Sequence, residues 1–426
     1  MSNIVDLHSH FLKSSSVCTD TRKITPNCIF FALKGENFNG NRFAEEAIKK
    51  GARLAVIDEK EYQINNKTWL CNDVLKTLQE LATYHRNFLG IPLIGLTGSN
   101  GKTTTKELIH TVLSEKYNCI ATKGNLNNHI GVPLTLLSMN ANTEIGVVEM
   151  GANHLGEIEN LTNIAQPNYG YITNFGKAHL EGFGSLEGVI KGKTELYRFL
   201  KQNHRSVFIN GEDAQQLIHS EGINRIVFNA TDATIQIELL DGSGPLKVKF
   251  DSTEITTQLI GAYNFSNIAA AIAIGHYFKV PINGIKKALE GYTPQMNRSQ
   301  IIEKNTHHII LDAYNANPTS MMAALTNFKN ASGTNKLLIL GDMFELGSDA
   351  SSEHQNIVNF LEENPFAETF LVGSNFFGTN VNSTQIKKFQ NFETFQEYLS
   401  QHPLDQKFIL IKGSRGMALE RTLNLI

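Results

Sequence analysis

The sequence predicts an α/β protein made of three units, the central one built on a mostly parallel sheet. Along most of its 426 residues, short apolar runs rich in Val and Ile alternate with stretches of helical periodicity, which is typical of sheets joined by helices. A glycine- and threonine-rich loop, 97–105, lies between an apolar run and a helical stretch, as in phosphate-binding loops. A chain of this length is too long for one ordinary core, so two or three domains are expected.

The apolar runs fall into three groups. Residues 1–88 form the expected first unit, with runs at 28–33, 54–57 and 69–71 and a last helix that Gly90 and Pro92 stop. Residues 89–296 form the central unit, with strands expected at 91–96, 145–149, 169–173 and 207–210 and a β-rich patch at 235–259. Residues 297–426 form the third unit, with runs at 309–311, 337–340, 370–372 and 408–411.

The composition narrows the class of protein. With 38 Lys and Arg against 41 Asp and Glu, no nucleic-acid surface is predicted, so any phosphate recognition is local. The four cysteines form no C-x-x-C pair, which favours reduced thiols. The N-terminus has no signal-peptide pattern and no apolar run approaches a membrane span. We therefore expect a soluble cytoplasmic protein without membrane insertion, and a monomer.

The loop 97–105 predicts an ATP-type ligand. Its glycines let successive backbone N–H groups face phosphate oxygens, Lys102 reaches the outer phosphates, and the Thr103 hydroxyl can ligate Mg²⁺. Leu96 stands where the general pattern has glycine, so the loop is a variant. The residues expected to hold the nucleotide here are Gly98, Ser99, Asn100, Gly101, Lys102, Thr103 and Thr104.

This variant loop, TGSNGKTTTKE, resembles that of the ATP-dependent Mur ligases and their folylpolyglutamate synthetase relatives, which join an amine to a carboxylate through an acyl phosphate. Blocks at 123–137, 147–158, 177–197 and 311–321 resemble the same family. They are most similar to the branch that adds D-alanyl-D-alanine to a UDP-N-acetylmuramoyl tripeptide in peptidoglycan precursor synthesis. The resemblance implies a three-domain architecture with a central P-loop domain and a C-terminal Rossmann-like domain.

Two residues near strand ends are candidate metal ligands. Glu149 ends an expected strand and His179 follows the next one, where open parallel sheets place their ligands. The resemblance implies that a Glu and a His at these positions hold Mg²⁺ together with Thr103, and that Lys102 and His179 belong to the catalytic machinery. Taken without the resemblance, either residue could be an ordinary loop residue.

Lys193 is a candidate for chemical modification. It lies on the apolar stripe of a helix expected over 186–200, whereas Lys191 does not. An inward-facing lysine loses its charge more easily, because desolvation lowers its pKa, and a neutral amine can react with CO₂ to form a carbamate. The resemblance implies a carbamylated lysine here that supports a second Mg²⁺. The alternative is a lysine whose stem packs while its ammonium reaches water.

Further nucleotide contacts are implied by resemblance. The segment 261–267 resembles the family's GxHNxxN motif, with Tyr263 in place of its usual His, so Asn264 and Asn267 are expected near the adenine. Helix capping is the alternative for these amides. Arg298 matches an arginine that reaches the phosphates, and Asp312 matches an acid near the ribose. Both belong to the third unit, so the third unit would have to close over the central one and expel water.

Two segments resemble substrate-binding parts of the family, and residues of the third unit are further candidates. Thr21 and Arg22 lie in a segment similar to its uridine-nucleotide domain, although Thr21 replaces the usual Ser. An Asn-rich loop resembles the part beside the muramoyl peptide, and further residues in the third unit are candidates for the dipeptide. The candidates in these two places are Asn125, Asn127 and Asn128, and Asn315, Asn317 and Lys412.

Other functions remain open on the sequence. The chain could be another Mur-type ligase such as MurE, although no amino-acid-binding signature of that enzyme is evident, or a folylpolyglutamate synthetase, which would lack the first unit. From a different class, it could be a P-loop kinase or a regulatory nucleotide-binding protein. A kinase would transfer phosphate without consuming an amine, and a regulatory protein would release no phosphate.

Overall fold

The computed structural model describes residues 3–295, 297–405 and 407–426. Each of the three predicted units contains its own parallel or mixed sheet flanked by helices. The expected boundary at 296 falls on Met296, which lies outside the described residues. Within these residues, no helix combines the length and the apolar composition needed to cross a bilayer.

The first unit is built on a four-stranded parallel sheet in the order β1-β2-β5-β6, beside a small hairpin, β3-β4. The strands are β1 Val17–Cys18, β2 Ile29–Phe31, β3 Lys34–Gly35, β4 Phe38–Asn39, β5 Leu54–Ile57 and β6 Thr68–Leu70. The helices are α1 Ile4–Phe11, α2 Ala44–Lys49 and α3 Val74–Leu89.

Helix α3 joins the first unit to the central one. Its N-cap Asp73 accepts a hydrogen bond from the Lys76 N–H, and it ends at Gly90, whose φ of +63° is costly for other residues. Its far side binds the central unit: Thr83 Oγ1 donates to the Ile164 carbonyl at 3.1 Å, and Arg86 donates to backbone carbonyls of the same region. The predicted last helix of the first unit is therefore also part of the interface.

The central sheet has six parallel strands in the order β12-β11-β10-β7-β9-β8. They are β7 Leu93–Thr97, β8 Cys119–Ala121, β9 Ile145–Glu149, β10 Tyr169–Ile172, β11 Ser206–Asn210 and β12 Asn224–Phe228. Its helices are α4 Lys102–Ser114, α5 Gly131–Leu137, α6 Glu157–Ala165, α7 Leu180–Phe183, α8 Leu186–Lys193, α9 Glu195–Gln202 and α10 Ala214–His219. The strand order reverses around β7, so the phosphate loop lies at the switch point where such sheets bind ligands.

The predicted β-rich patch is an antiparallel three-stranded sheet followed by two helices. These are β13 Ile237–Asp241, β14 Pro245–Phe250, β15 Thr253–Ile260, α11 Phe265–Tyr277 and α12 Ile282–Gly291. Helix α11 is buried along nearly its whole length and packs against α4. This packing brings the start of α11 next to the phosphate loop.

The third unit has a mixed sheet in the order β16-β17-β21-β18-β19-β20, in which only β16 is antiparallel. Its strands are β16 Gln300–Lys304, β17 His307–Asp312, β18 Lys336–Gly341, β19 Glu368–Val372, β20 Ile386–Phe389 and β21 Phe408–Lys412. Its helices are α13 Pro318–Asn330, α14 Ala350–Glu363, α15 Ser374–Phe377 and α16 Phe392–Gln401. The sequence prediction missed β16 and β20, two short strands in which polar or charged residues interrupt the apolar run.

The helix expected over 186–200 is wrong as one element. It breaks at Thr194, which ends α8 and precedes α9, and whose Oγ1 donates to the Ile190 carbonyl at 2.8 Å. A side chain that bonds the preceding turn competes with helix continuation. Leu186, counted on the apolar stripe, is 37% exposed. Lys193 nevertheless ends α8 on its buried side.

Candidate active site

The carboxyl ends of the central strands and the facing edge of the third unit enclose a cavity of about 730 Å³. Most of the predicted site residues line it. These are Ser99, Asn100, Gly101, Lys102, Thr103, Thr104, Asn125, Asn127, Asn128, Glu149, His179, Asn264, Asn267, Arg298, Asp312, Asn315, Asn317 and Lys412. Gly98, Lys193, Thr21 and Arg22 are not among the lining residues.

The phosphate loop has the backbone that the glycines predict. Gly98 has φ +143°, and a Cβ there would lie 2.0 Å from the Thr173 hydroxyl. Gly101 has φ +77° and precedes the first turn of α4, so the free N–H groups of that turn face the cavity. Lys102 Nζ donates to the carbonyls of Gly98 at 2.6 Å and Ser99 at 3.1 Å. Burial lowers the pKa of Lys102 to about 8, although the negative charge of Glu149 acts to raise it.

Glu149 is a buried carboxylate at the end of β9, only 1% exposed. Its Oε1 accepts from Thr103 Oγ1 at 3.2 Å and from Asn127 Nδ2 at 2.8 Å. Its Oε2 is buried without a hydrogen-bond partner among the described residues. Buried polar atoms are normally satisfied, so this oxygen is available for a ligand. A carboxylate next to a threonine hydroxyl suits Mg²⁺, which binds proteins through one or two carboxylates plus phosphate oxygens and water.

His179 lies between β10 and α7 with a left-handed backbone, φ +53°. Its Nδ1 is 2.6 Å from Oε2 of Glu345, which belongs to the third unit. This contact lowers the pKa of the Glu345 carboxyl. Across the described parts of the chain, no three His, Cys, Asp or Glu side chains gather as a metal cluster. A metal at this site would therefore depend on the Thr103 hydroxyl and on the oxygens of the nucleotide as well.

Lys193 is fully buried. Its Nζ donates to the Ala152 carbonyl at 3.1 Å and lies 5.1 Å from the centre of the Phe183 ring. Desolvation, followed by the charge of Lys102, holds the pKa of Lys193 well below its ordinary value. None of the ion pairs found among the described residues includes it. The snorkelling alternative needs an ammonium in water, and the burial does not support it.

The two amides expected near the adenine are largely engaged within the protein. Asn264 Nδ2 donates to the Ile260 carbonyl at 2.8 Å, and Asn267 Nδ2 donates to Asn264 Oδ1 at 2.8 Å. Asn267 Oδ1 in turn accepts from Thr105 Oγ1 at 2.9 Å. These bonds connect the start of α11 to α4, so the pair supports the shape of the phosphate loop while it lines the cavity.

The third unit contributes a cation and an ion pair to the cavity. The Arg298 guanidinium lies 3.6 Å from the centre of the Tyr314 ring, and its Nε has no hydrogen-bond partner among the described residues. Asp312 accepts from the Ser299 N–H at 3.1 Å and from Lys412 Nζ at 2.5 Å. Lys412, predicted for the dipeptide, is thus held by the acid predicted for the ribose.

The predicted substrate-binding residues are not all brought together. In the Asn-rich loop, Asn128 Oδ1 accepts from the N–H groups of Ile130 and Gly131, and Asn127 binds Glu149. Asn315 is exposed at the cavity wall. In the first unit, by contrast, the Arg22 guanidinium is exposed and paired with Asp20 at 2.8 Å, away from this cavity.

Sequence reasoning missed several contacts at the site. It gave no role to Glu345, although it lies in the GDMFELG segment (341–347), and none to Tyr314, whose ring centre lies 3.6 Å from the Arg298 guanidinium. It also assigned Asn127 to substrate alone, whereas the structure hydrogen-bonds it to Glu149. These partners are far apart in the chain, so no local pattern marks them.

Comparison with known proteins agrees with this arrangement. Three family models match in succession: the Mur ligase family, catalytic domain, over 13–86, the Mur ligase middle domain over 96–275, and the Mur ligase, glutamate ligase domain, over 297–415. The chain is 36% identical over 420 residues to the UDP-N-acetylmuramoyl-tripeptide–D-alanyl-D-alanine ligase of Bacillus subtilis, covering 95% of this chain and 91% of that protein.

Solved structures give the same result. A crystal structure of MurF from Acinetobacter baumannii superposes with a TM-score of 0.85 at 29% identity, covering 99% of this chain and 97% of that one. The MurF ligase from Thermotoga maritima, solved in complex with ADP, superposes with a TM-score of 0.84 at 25% identity, covering 97% of both chains. With a relative this similar over nearly its whole length and three family models along it, the chain belongs to the Mur ligase family.

Proposed function

We propose that the chain is an ATP-dependent ligase that joins D-alanyl-D-alanine to UDP-N-acetylmuramoyl tripeptide in peptidoglycan precursor synthesis. The relatives carry this activity in their names, and an ADP-bound MurF shares the fold. The observation that carries the proposal is one cavity in which the phosphate loop, the buried Glu149 and the polar edge of the third unit face one another. We also propose a cytoplasmic location and a monomeric state.

The chain's residues would bind ATP from two sides. The N–H groups at the start of α4 and Lys102 face the phosphates from the central unit. Arg298, whose guanidinium lies 3.6 Å from the centre of the Tyr314 ring, approaches from the third unit, and its Nε has no hydrogen-bond partner among the described residues. Asp312 would bind the ribose, and Asn264 and Asn267 would lie near the adenine. Arg298 can bind phosphate only when the third unit is docked, so docking would complete the nucleotide site.

The reaction proceeds in two transfers. A carboxylate oxygen of the tripeptide attacks the γ-phosphorus, and ADP leaves. The amine of D-alanyl-D-alanine then attacks the acyl carbon, phosphate leaves with that carboxylate oxygen, and the amine loses a proton. Enclosure between two units keeps water from the acyl phosphate in the interval.

Mg²⁺ fits the oxygen-rich site described above. Thr103, Glu149 and His179 would hold it, and it would neutralise phosphate charge during transfer. We propose a second ion supported by Lys193 as a carbamate: the neutral amine adds to CO₂, an N–C bond forms, and one proton is released. Full burial and a lowered pKa support a neutral amine at Lys193.

The substrate-facing residues are proposed as two groups. Asn125, Asn127 and Asn128 would face the peptide of the UDP-linked substrate, and Asn315, Asn317 and Lys412 would face the dipeptide. Thr21 and Arg22, which lie in the first unit outside the cavity, would bind the uridine nucleotide. The UDP-linked substrate is long, so separate sites for its nucleotide and its peptide end are consistent with its chemistry.

Phosphate release with each substrate omitted in turn tests the function. With ATP, UDP-N-acetylmuramoyl tripeptide and D-alanyl-D-alanine together, we expect phosphate release and a product joined by an amide bond. Omitting either the UDP-linked tripeptide or D-alanyl-D-alanine should abolish steady release of phosphate. Rapid hydrolysis with ATP alone would indicate a simple ATPase. Phosphate transfer without consumption of the amine would indicate a kinase. Activity only with a free diamino acid would indicate a MurE-type ligase.

A further inference from the structure

The loop that carries His179 is bound by the third unit at several points. The Lys177 N–H donates to Thr319 Oγ1 at 3.0 Å, and Lys177 Nζ donates to Glu353 Oε1 at 2.6 Å. The Glu181 N–H donates to the Glu345 carbonyl at 3.1 Å. The loop belongs to the central unit by sequence, but its conformation is thus supported from the other side of the cavity.

Glu345 occupies an unusual position in this interface. Its φ is +60°, a left-handed conformation that costs free energy for a residue with a Cβ and persists only where the surroundings impose it. Its carbonyl binds Glu181 while its carboxylate lies 2.6 Å from His179 Nδ1. The carbonyl and the carboxylate of this strained residue therefore contact the same loop of the neighbouring unit.

The segment that presents Glu345 is held firmly from behind. The buried Asp342 carboxylate accepts from the N–H groups of Asn375 and Phe376. The Met343 N–H donates to His354 Nε2 at 3.0 Å, and the Phe344 N–H donates to Ser414 Oγ at 2.8 Å. Three successive residues before Glu345 are thus fixed by the third unit's own core, so the carboxylate moves with that unit.

The Glu345 carboxylate lies against one ring nitrogen of His179. The Nδ1–Oε2 distance is 2.6 Å, although the contact lacks hydrogen-bond geometry, and the buried Nδ1 makes no hydrogen bond to any described residue. A carboxylate beside Nδ1 favours the tautomer with the proton on Nδ1, which leaves the Nε2 lone pair free. Carboxylates that contact ligating histidines in this way fix the tautomer and the orientation of the ring.

We propose that Glu345 is a positioning residue which fixes the tautomer and orientation of His179 across the interface, so that docking of the third unit completes this part of the site. The inference rests on the proposed function only where it takes His179 to be a Mg²⁺ ligand. The geometric relation itself holds without any substrate, and it can be measured on the free protein.

The test is a nitrogen-15 spectrum of the histidines in the full-length chain. There are 14 histidines, and the signals of His179 are assigned by their loss in His179→Gln. In the wild type we expect the Nδ1–H tautomer. Glu345→Ala should lose it, whereas Glu345→Gln should keep part of it, because an amide oxygen can still accept a hydrogen bond from Nδ1–H.

Glu353→Gln is the matched control. Glu353 contacts the same loop through Lys177, but it does not touch His179, so this variant should keep the wild-type tautomer. A second measurement is ADP binding at increasing Mg²⁺. Glu345→Ala should weaken the binding of Mg²⁺ to the ADP complex by roughly 10- to 100-fold. The affinity for ADP without Mg²⁺ should be unchanged.

A wild-type His179 spectrum in Glu345→Ala would overturn the proposal. So would an equal loss in Glu353→Gln, because general loosening of the interface would then explain the effect. Failure of the proposed ligase function would appear differently, as absent phosphate release in the wild type with an unaltered tautomer and unaltered variant effects.

Discussion

Asn317 of the third unit donates a 2.7 Å hydrogen bond from its Nδ2 to Oδ1 of Asn100 in the phosphate loop. The same side chain caps α13, because its Oδ1 accepts from the Ser320 N–H at 2.9 Å. The nucleotide loop and the first turn of a third-unit helix are therefore connected through one amide. The sequence led us to expect, from Arg298 and Asp312 alone, that the third unit closes over the nucleotide. In the structure the third unit contacts the phosphate loop directly through this hydrogen bond.

Asn317→Asp separates the two roles of this amide. Aspartate still caps a helix but cannot donate to Asn100. We expect Asn317→Asp to keep the melting temperature within a degree or two of the wild type and to lower ligation by about tenfold, the equivalent of one lost hydrogen bond. Asn317→Ala should lower both, because loss of a cap costs about 1 kcal/mol. Unaltered ligation in Asn317→Asp would remove the functional role of the contact.

Lys193 and Lys191 offer a matched pair on one helix. Lys193 is fully buried and Lys191 is exposed. We expect Lys193→Ala to be nearly inactive and to regain part of its activity with a small added carboxylic acid, which replaces the carbamate in the vacated space. Lys191→Ala should ligate normally. Equal mild losses in both, or a bare ammonium at 193 in the fully active enzyme, would contradict the carbamate.

Nucleotide affinity should depend on pH through Lys102. Its pKa of about 8 in the free protein rises when phosphates bind, so binding takes up a proton. ADP affinity should therefore be constant below pH 8 and fall as the pH rises above 8, until the pKa of the bound state is passed. Lys102→Arg stays charged throughout and should show a flat profile, by titration calorimetry, over pH 7–9.5. A flat wild-type profile would contradict the burial effect.

Removal of the Lys102 side chain tests its catalytic role. Lys102→Ala should lower ligation by roughly 10²-fold or more, because it removes charge stabilisation from the transferring phosphate. The fold should be retained, since among the described residues the side chain donates hydrogen bonds only to the carbonyls of its own loop. Near-normal turnover in a folded Lys102→Ala protein would refute the role assigned to the loop.

Acid sensitivity should arise in the first unit, at a pair of buried histidines. His8 Nε2 lies 3.0 Å from His85 Nδ1, and His85 Nε2 lies 2.9 Å from the Met139 carbonyl. Burial lowers the pKa of both, and His85 adds to the effect on His8. Between the folded and unfolded pKa values the unfolded chain therefore binds more protons, so stability present above about pH 6.5 is lost as the pH falls from that value through the lower pKa of the folded histidines. In His85→Gln the melting temperature should depend less on pH between 7.5 and 5, whereas the exposed His10→Gln should behave as the wild type.

The sequence predicted the parts of the fold and site that depend on local pattern. The bend at Gly98 and Gly101, the end of α3 at Gly90 and the buried side of Lys193 each follow from residue type and spacing within one element. The edge strand β16 was missed because its two adjacent isoleucines, followed by Glu303 and Lys304, give no alternation of apolar and polar residues. Its side chains face partly to solvent, so hydrophobic periodicity does not mark it.

Contacts between distant segments could not be predicted. Nothing near Asn127 indicates that it binds Glu149, and nothing near Glu345 indicates that its carboxylate reaches His179. The first contact forms when two segments of the central unit pack together, and the second forms when the third unit packs against the central one. Sequence periodicity describes only single elements. The resemblance to the family indicated candidate residues, but the structure was needed to show which of their side chains contact one another.

The proposed reaction requires that ATP phosphorylates the tripeptide carboxylate and that an amine then captures the acyl phosphate. Transfer of oxygen-18 from the carboxylate of labelled UDP-N-acetylmuramoyl tripeptide is the decisive measurement. During ligation with D-alanyl-D-alanine, we expect each released phosphate to carry one oxygen-18 atom and one amide bond to form for it, both measured by mass spectrometry. Phosphate that carries only oxygen from water or ATP, at normal rates of release, would rule out the acyl phosphate.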